Sequence, residues 1–145
     1  MSRSIFSRST GVPAASSSFF LLAALQARLA AVESRAGLHA ELSVQGEQEL
    51  PLAMQEELFW IAMEAFNNVI KHARAQQVEV HLRLDRPTLL LEITDDGIGF
   101  DPATAGQSGG MGLRSMAERV ERIRGQLEVT SAPGSGTTVR VEAGM

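Results

Sequence analysis

Nine of the 13 glycines in this chain fall between Gly97 and Gly136. They interrupt text that is otherwise patterned as regular structure. Any fold must therefore fit a long, conformationally permissive loop between a strand and a helix. Ahead of the cluster, Val78, Val80, Leu82 and Leu84 alternate with Gln77, Glu79, His81 and Arg83. That period of two predicts a half-buried strand. Asp85-Arg86-Pro87 turns the chain. Leu89, Leu91 and Ile93 then alternate with Leu90, Glu92 and Thr94, predicting a second strand and a hairpin. Beyond the polar, Gly-rich segment, Leu113, Met116, Val120 and Ile123 recur at helical spacing, with Gly125 as the stop. Leu127 and Val129, a PGSG turn at 133–136, and Val139 and Val141 predict a final hairpin.

The first half of the chain supplies two helices and a strand. Leu22, Leu25, Leu29 and Val32 form one apolar stripe, and Gly37 follows at the expected stop. Leu38 to Val44 predicts a short strand, and GEQELP a turn. Pro51 suits the first position of the next helix, which should bury Leu58, Ile61, Ala62, Ala65 and Val69 and run to about His72. The order α-β-α-β-β-(Gly loop)-α-β-β predicts the α+β class, with helices on one face of a mixed sheet. One domain is expected over residues 21–145, with residues 1–20 a flexible lead-in or linker. The Ser- and Arg-rich run before FFLLAAL only loosely resembles a targeting segment.

Composition removes several function classes. At 44% hydrophobic residues the chain is not wholly disordered. Its net charge of −4 lacks the basic excess of a nucleic-acid binder. With no cysteine, thiol nucleophiles, disulfides and zinc–thiolate sites are excluded. The longest apolar run, Phe19 to Leu25, is far short of the roughly 20 residues of a membrane span. No direct membrane insertion of this segment is expected.

Four features could carry chemistry. Glu64, Asn68 and Lys71 or His72 stack on one helical face. A carboxylate, an amide oxygen and cations so arranged suit a magnesium–phosphate site, although the spacing is also that of a solvated helix face. In ITDDGIGF (93–100), Asp95 shares strand parity with Leu89, Leu91 and Ile93, so it should point inward while Asp96 points away. An inward carboxylate needs a donor, and the exocyclic amine of a purine is one. Gly97 and Gly99 permit close ligand approach, although Asp-Gly is also common in plain turns. GGMGLRSM (109–116) sets glycines before a helix N-terminus, where free amides favour phosphate. It is neither a P-loop nor a dinucleotide fingerprint. GSGTT (134–138) enters a strand whose threonines could support Asp95.

The ordered set is more specific than its parts. EAFNNVIKHA (64–73), DDGIGF (95–100), GGMGLRSMAERV (109–120) and PGSGTTVRV (133–141) resemble the GHKL ATPases: gyrase, the Hsp90 chaperone, histidine kinases and MutL. Within them the chain looks most like the ATP-binding catalytic domain of two-component sensor histidine kinases of the nitrate-sensor type. The resemblance covers roughly residues 21–142. It implies a two-layer α/β sandwich, the Bergerat fold, with a mixed sheet covered on one face by about three helices.

It also implies roles. Asn68 matches the asparagine that coordinates Mg²⁺, and Glu64 the acidic residue that helps activate the acceptor or a water. Lys71 and His72 match positions near the phosphates. Asp95 matches the aspartate that recognises the adenine amine. Gly97 and Gly99 match the first glycine box, Gly110, Gly112 and Leu113 the second, and Thr137 the threonine of the third. Residues 101–111 match a short ATP lid. The implied cofactors are ATP and Mg²⁺. The implied partners are a phosphoacceptor histidine domain, of the same polypeptide or a dimer mate, and a response regulator with a helix-turn-helix output. The implied location is cytoplasmic, as a free protein or as the cytosolic part of a membrane receptor.

The three histidines, His39, His72 and His81, lack the H-[DE] context of a phosphoacceptor, and an F-box is not evident. The expectation is therefore a kinase catalytic domain that acts on a histidine elsewhere and does not autophosphorylate alone. Two other classes share features with it: a standalone serine/threonine kinase of the anti-sigma type, and a nucleotide-gated binding module without transfer activity.

Overall fold

A computed structural model describes residues 19–46, 48–101, 103 and 112–145. The expected lead-in up to residue 18 and most of the expected lid lie outside them. The element order is the one the periodicities predict. Helix α1 spans Phe19–Ala36 and strand β1 His39–Gly46. Helix α2 spans Leu52–Asn68, strand β2 Gln77–Asp85 and strand β3 Thr88–Asp95. Helix α3 spans Leu113–Arg122, strand β4 Gln126–Ser131 and strand β5 Thr137–Gly144.

The five strands form one mixed sheet in the order β1-β2-β3-β5-β4. β1 runs parallel to β2, and every other neighbouring pair is antiparallel. Period-two patterning sorts the side chains. Ala40, Leu42 and Val44, Val78, Val80, Leu82 and Leu84, Leu89, Leu91 and Ile93, and Val139, Val141 and Ala143 turn to one face and are buried with the helices. The opposite face is polar, with Arg140 reaching Glu92 at 3.2 Å across β5 and β3. Leu90 lies on that polar face yet is nearly buried, flanked in register by Arg83 and Glu142.

Each helix is ended or joined by an identifiable device. Gly37 takes φ +68°, and its N–H donates to the Glu33 carbonyl at 3.1 Å, closing α1 as a left-handed cap. Pro51 precedes α2 as its N-cap (φ −57°, ψ 146°) rather than occupying the first helical position. Its carbonyl accepts the N–H groups of Met54 and Gln55. The expected helix to about His72 continues past Asn68, but Val69–Ala73 form a π-helical turn that ends at Arg74 in the left-handed region. Gly125 follows α3, but the positive φ belongs to Arg124 (φ 55°). A Cβ on Gly125 would stand 2.7 Å from the Glu142 carbonyl oxygen, so glycine is needed there for close approach.

Two polar links hold the helical layer together. Glu57 of α2 accepts from Arg119 of α3 at 3.0 Å and lies 3.5 Å from Arg122. The Arg119 guanidinium also sits 5.7 Å from the centre of the Trp60 ring. Gln55 is fully buried. Its Oε1 accepts the Leu21 N–H of α1 at 3.0 Å, and its Nε2 donates to the Leu50 carbonyl at 3.0 Å. Replacing Gln55 by leucine removes both hydrogen bonds from a site shut off from water. Gln55→Leu should therefore cost about 2–4 kcal/mol, read as a lower denaturation midpoint in urea.

Candidate functional site

Three separated segments converge on a cavity of about 200 Å³. α2 and the turn after it give Ala65, Asn68 and Val69; β3 gives Ile93 and Asp95. The loop after β3 gives Ile98, Gly99 and Phe100, and β5 gives Thr137 and Val139. The walls are mostly apolar. Mostly apolar cavities of this kind orient what they bind through few polar groups.

Asp95 is the charged group of the lining. It ends β3 on the inward parity and is only 8% exposed. The Gly97 N–H donates to its Oδ1 at 2.8 Å. Burial raises its pKa above the ordinary carboxylate value, the Gly97 N–H opposes that rise, the neighbouring Asp96 charge adds to it, and the Thr137 N–H again lowers it. Asp96 turns the other way, as parity predicts. Its Oδ1 accepts the N–H groups of Gln76 at 2.9 Å and Gln77 at 3.0 Å, pinning the start of β2.

The loop after β3 is interlocked with the β4–β5 turn. The Gly134 N–H donates to the Ile98 carbonyl at 2.5 Å. Gly99 takes φ +68°, and a Cβ there would overlap the Ala132 carbonyl. A Cβ on Gly136 (φ +73°) would overlap the Asp95 carbonyl. Both positions require glycine on conformational and steric grounds. The two threonines of GSGTT divide: Thr137 lines the cavity, whereas Thr138 pairs with Thr94 at 3.2 Å on the other side.

Of the residues singled out from sequence, Asn68, Asp95, Gly99 and Thr137 meet in the cavity lining. Gly97 is buried beside it and supplies the N–H to Asp95. Glu64 does not line the cavity; its carboxylate occupies the space a Cβ on Gly112 would fill. Gly112 takes φ 65° as the N-cap of α3, and Leu113 packs against the core rather than lining the cavity. Lys71 is solvent-exposed on the π turn. The His72 side chain and Gly110 lie outside what is described. Ser131 escaped the sequence reading, although its parity with Leu127 and Val129 marks it as an inward polar residue. Its Oγ accepts the Phe100 N–H at 2.9 Å.

A family profile described as histidine kinase-, DNA gyrase B- and HSP90-like ATPase matches residues 53–144. The chain belongs to that family. It is 37% identical over 122 residues to the sensor histidine kinase MctS of Rhizobium johnstonii, covering 82% of this chain and 26% of that protein. It is 34% identical over 122 residues to the sensor histidine kinase YxjM of Bacillus subtilis, covering 83% and 29%. The chain thus spans between a quarter and a third of these curated relatives. Among solved structures, the histidine kinase domain of the Erythrobacter litoralis blue-light activated kinase superposes with a TM-score of 0.67 at 23% identity, covering 86% of this chain and 60% of that one. The Acinetobacter baumannii histidine kinase AdeS gives 0.71 at 14% identity, covering 90% and 66%. These likenesses bear out the α+β two-layer fold. Among the described residues, no helix is long and apolar enough to cross a membrane.

Two measurements test this geometry. Gly112→Ala forces a side chain into a left-handed position already filled by Glu64, and should cost about 1–3 kcal/mol. Adding Glu64→Ala should recover part of that loss, read as a coupling of about 1 kcal/mol in a double-mutant cycle on urea unfolding. The raised Asp95 pKa means the folded chain holds this proton more tightly than the unfolded one. Its contribution to stability is full below the unfolded value of 3.8 and is lost as pH rises through the folded value. Ligand-free Asp95→Asn should therefore gain in melting temperature over the parent at neutral pH, and the gain should shrink in acid.

Proposed function

We propose that this chain is the ATP-binding catalytic module of a sensor histidine kinase. It binds ATP with Mg²⁺ and donates the γ-phosphoryl group to a histidine nitrogen on a phosphoacceptor domain, within two-component signalling. The observation that carries this reading is the buried Asp95 carboxylate on the floor of an apolar cavity, with Asn68 lining it from α2. A carboxylate acceptor among apolar walls suits the amine-bearing edge of adenine. The named activity of the relatives supports the same class.

The residues fit the divalent ion. Mg²⁺ is held by one or two protein oxygens together with substrate phosphates, and the Asn68 amide oxygen is a hard ligand of that kind. Among the described residues no cluster of three His, Asp or Glu side chains could hold a metal by itself. Bound there, the ion would supply positive charge to offset that of the triphosphate. In the transfer, the bond from the β–γ bridging oxygen to the γ-phosphorus breaks and a bond from the histidine nitrogen forms, with ADP leaving. This chain's share of that work is positioning. Asp95 fixes the base, Asn68 the metal-bound phosphates, Lys71 adds positive charge, and Glu64 orients the incoming imidazole or takes its proton.

Calorimetry should show ATP binding in the presence of Mg²⁺, with Asp95→Asn roughly 10- to 100-fold weaker through loss of a charge-assisted hydrogen bond. Absence of any nucleotide binding by the parent chain would sink the proposal. Asn68→Ala should keep Mg²⁺-free ADP binding but lose label transfer from γ-labelled ATP to an acceptor domain supplied in trans. Full transfer by that variant would remove the metal role from Asn68.

A further inference from the structure

Three hydrogen bonds meet at one hydroxyl outside the cavity. Ser131, the last residue of β4, receives the Phe100 N–H at 2.9 Å. Its Oγ lies 2.9 Å from the Gly136 carbonyl oxygen and 2.9 Å from Thr137 Oγ1. A hydroxyl has one proton and two lone pairs. The Gly136 carbonyl can only accept, so it takes the Ser131 proton. The Phe100 amide can only donate, so it occupies one lone pair. The remaining partner, the Thr137 hydroxyl, must then donate into the second lone pair. Thr137 also has a single proton, so its oxygen is left toward the cavity as an acceptor. Asp95, its register partner on β3, is an acceptor too.

We infer that Ser131 is a positioning residue for base selection. By drawing away the Thr137 proton and clamping Phe100, it keeps the side chains on this floor acceptor-only. The floor then favours a base edge that presents an amine over one that presents a carbonyl oxygen. The inference rests on the ATP reading and goes beyond it, because Ser131 does not line the cavity and acts through Thr137.

The test is the ratio of dissociation constants for ATP and ITP, whose base carries a carbonyl where adenine carries the amine. In Ser131→Ala the Thr137 proton is freed to serve that carbonyl, and the preference for ATP should fall roughly three- to tenfold. Ser131→Cys, close in shape but weak in hydrogen bonding, should behave likewise and carries the test if the alanine variant does not fold. Ser131→Thr keeps the hydroxyl and should keep the preference. In a Thr137→Val background, Ser131→Ala should no longer change it. Without ligand, the Phe100 amide should exchange faster in Ser131→Ala than in the parent.

ATP binding with an unchanged preference in both Ser131→Ala and Ser131→Cys overturns the assignment to Ser131 alone. An equal loss in Ser131→Thr does the same, because it traces the effect to shape rather than to the hydroxyl. A parent chain that binds neither nucleotide overturns the ATP reading itself, and base selection with it.

Discussion

A carboxylate held out of water at the end of β3 sets the terms for everything around it. Asp95 follows Leu89, Leu91 and Ile93 on the buried side of the sheet, and continuing that parity carries its charge beneath an apolar wall. A buried charge is expensive without donors. The chain supplies backbone donors from both flanks, the Gly97 N–H and the Thr137 N–H. Backbone approach this close excludes side chains, which is why Gly136 packs against the Asp95 carbonyl and Gly99 against Ala132. At Gly99 and Gly136 the need for glycine is thus mainly a matter of space: it lets a loop and a turn close around one acidic side chain. What remains for a ligand is the part of the carboxylate those amides do not satisfy.

The helical layer completes the site from the opposite side. α2 is anchored by Gln55 at its start and joined to α3 through Glu57, Arg119 and Arg122. That anchoring holds Asn68 at the cavity lining and Glu64 against Gly112, the N-cap of α3. Division of labour also runs across the sheet. Asp95 and Thr137 face the cavity, while Asp96, Thr94 and Thr138 fasten neighbouring strands on the other side.

Much of this was legible from periodicity. The strand pattern assigned Asp95 inward and Asp96 outward, and the helix stripes located α1, α2 and α3 within a few residues. The departures have local causes. Pro51 sits before α2 because its ψ of 146° is extended rather than helical. The end of α2 widens into a π turn, which propensity does not signal. The left-handed residue after α3 is Arg124, because Gly125 is pressed against the Glu142 carbonyl of the neighbouring strand. Gln55 gave no warning, since a glutamine in a helix normally faces water. Here the N-terminus of α1 lies over it and requires an acceptor.

The sequence by itself determined the order of elements, the buried faces, the family and the inward aspartate, because period, parity and motif order are local properties of the chain. Only the tertiary structure decided which residues share the cavity. Asn68, the Asp95–Gly99 stretch and Thr137 are separated by many residues, and the sheet order β1-β2-β3-β5-β4 brings β5 beside β3. It also separated Glu64 and Leu113 from the cavity lining and made Ser131 a hub of three hydrogen bonds. Those assignments depend on distances between elements, which no one-dimensional pattern encodes.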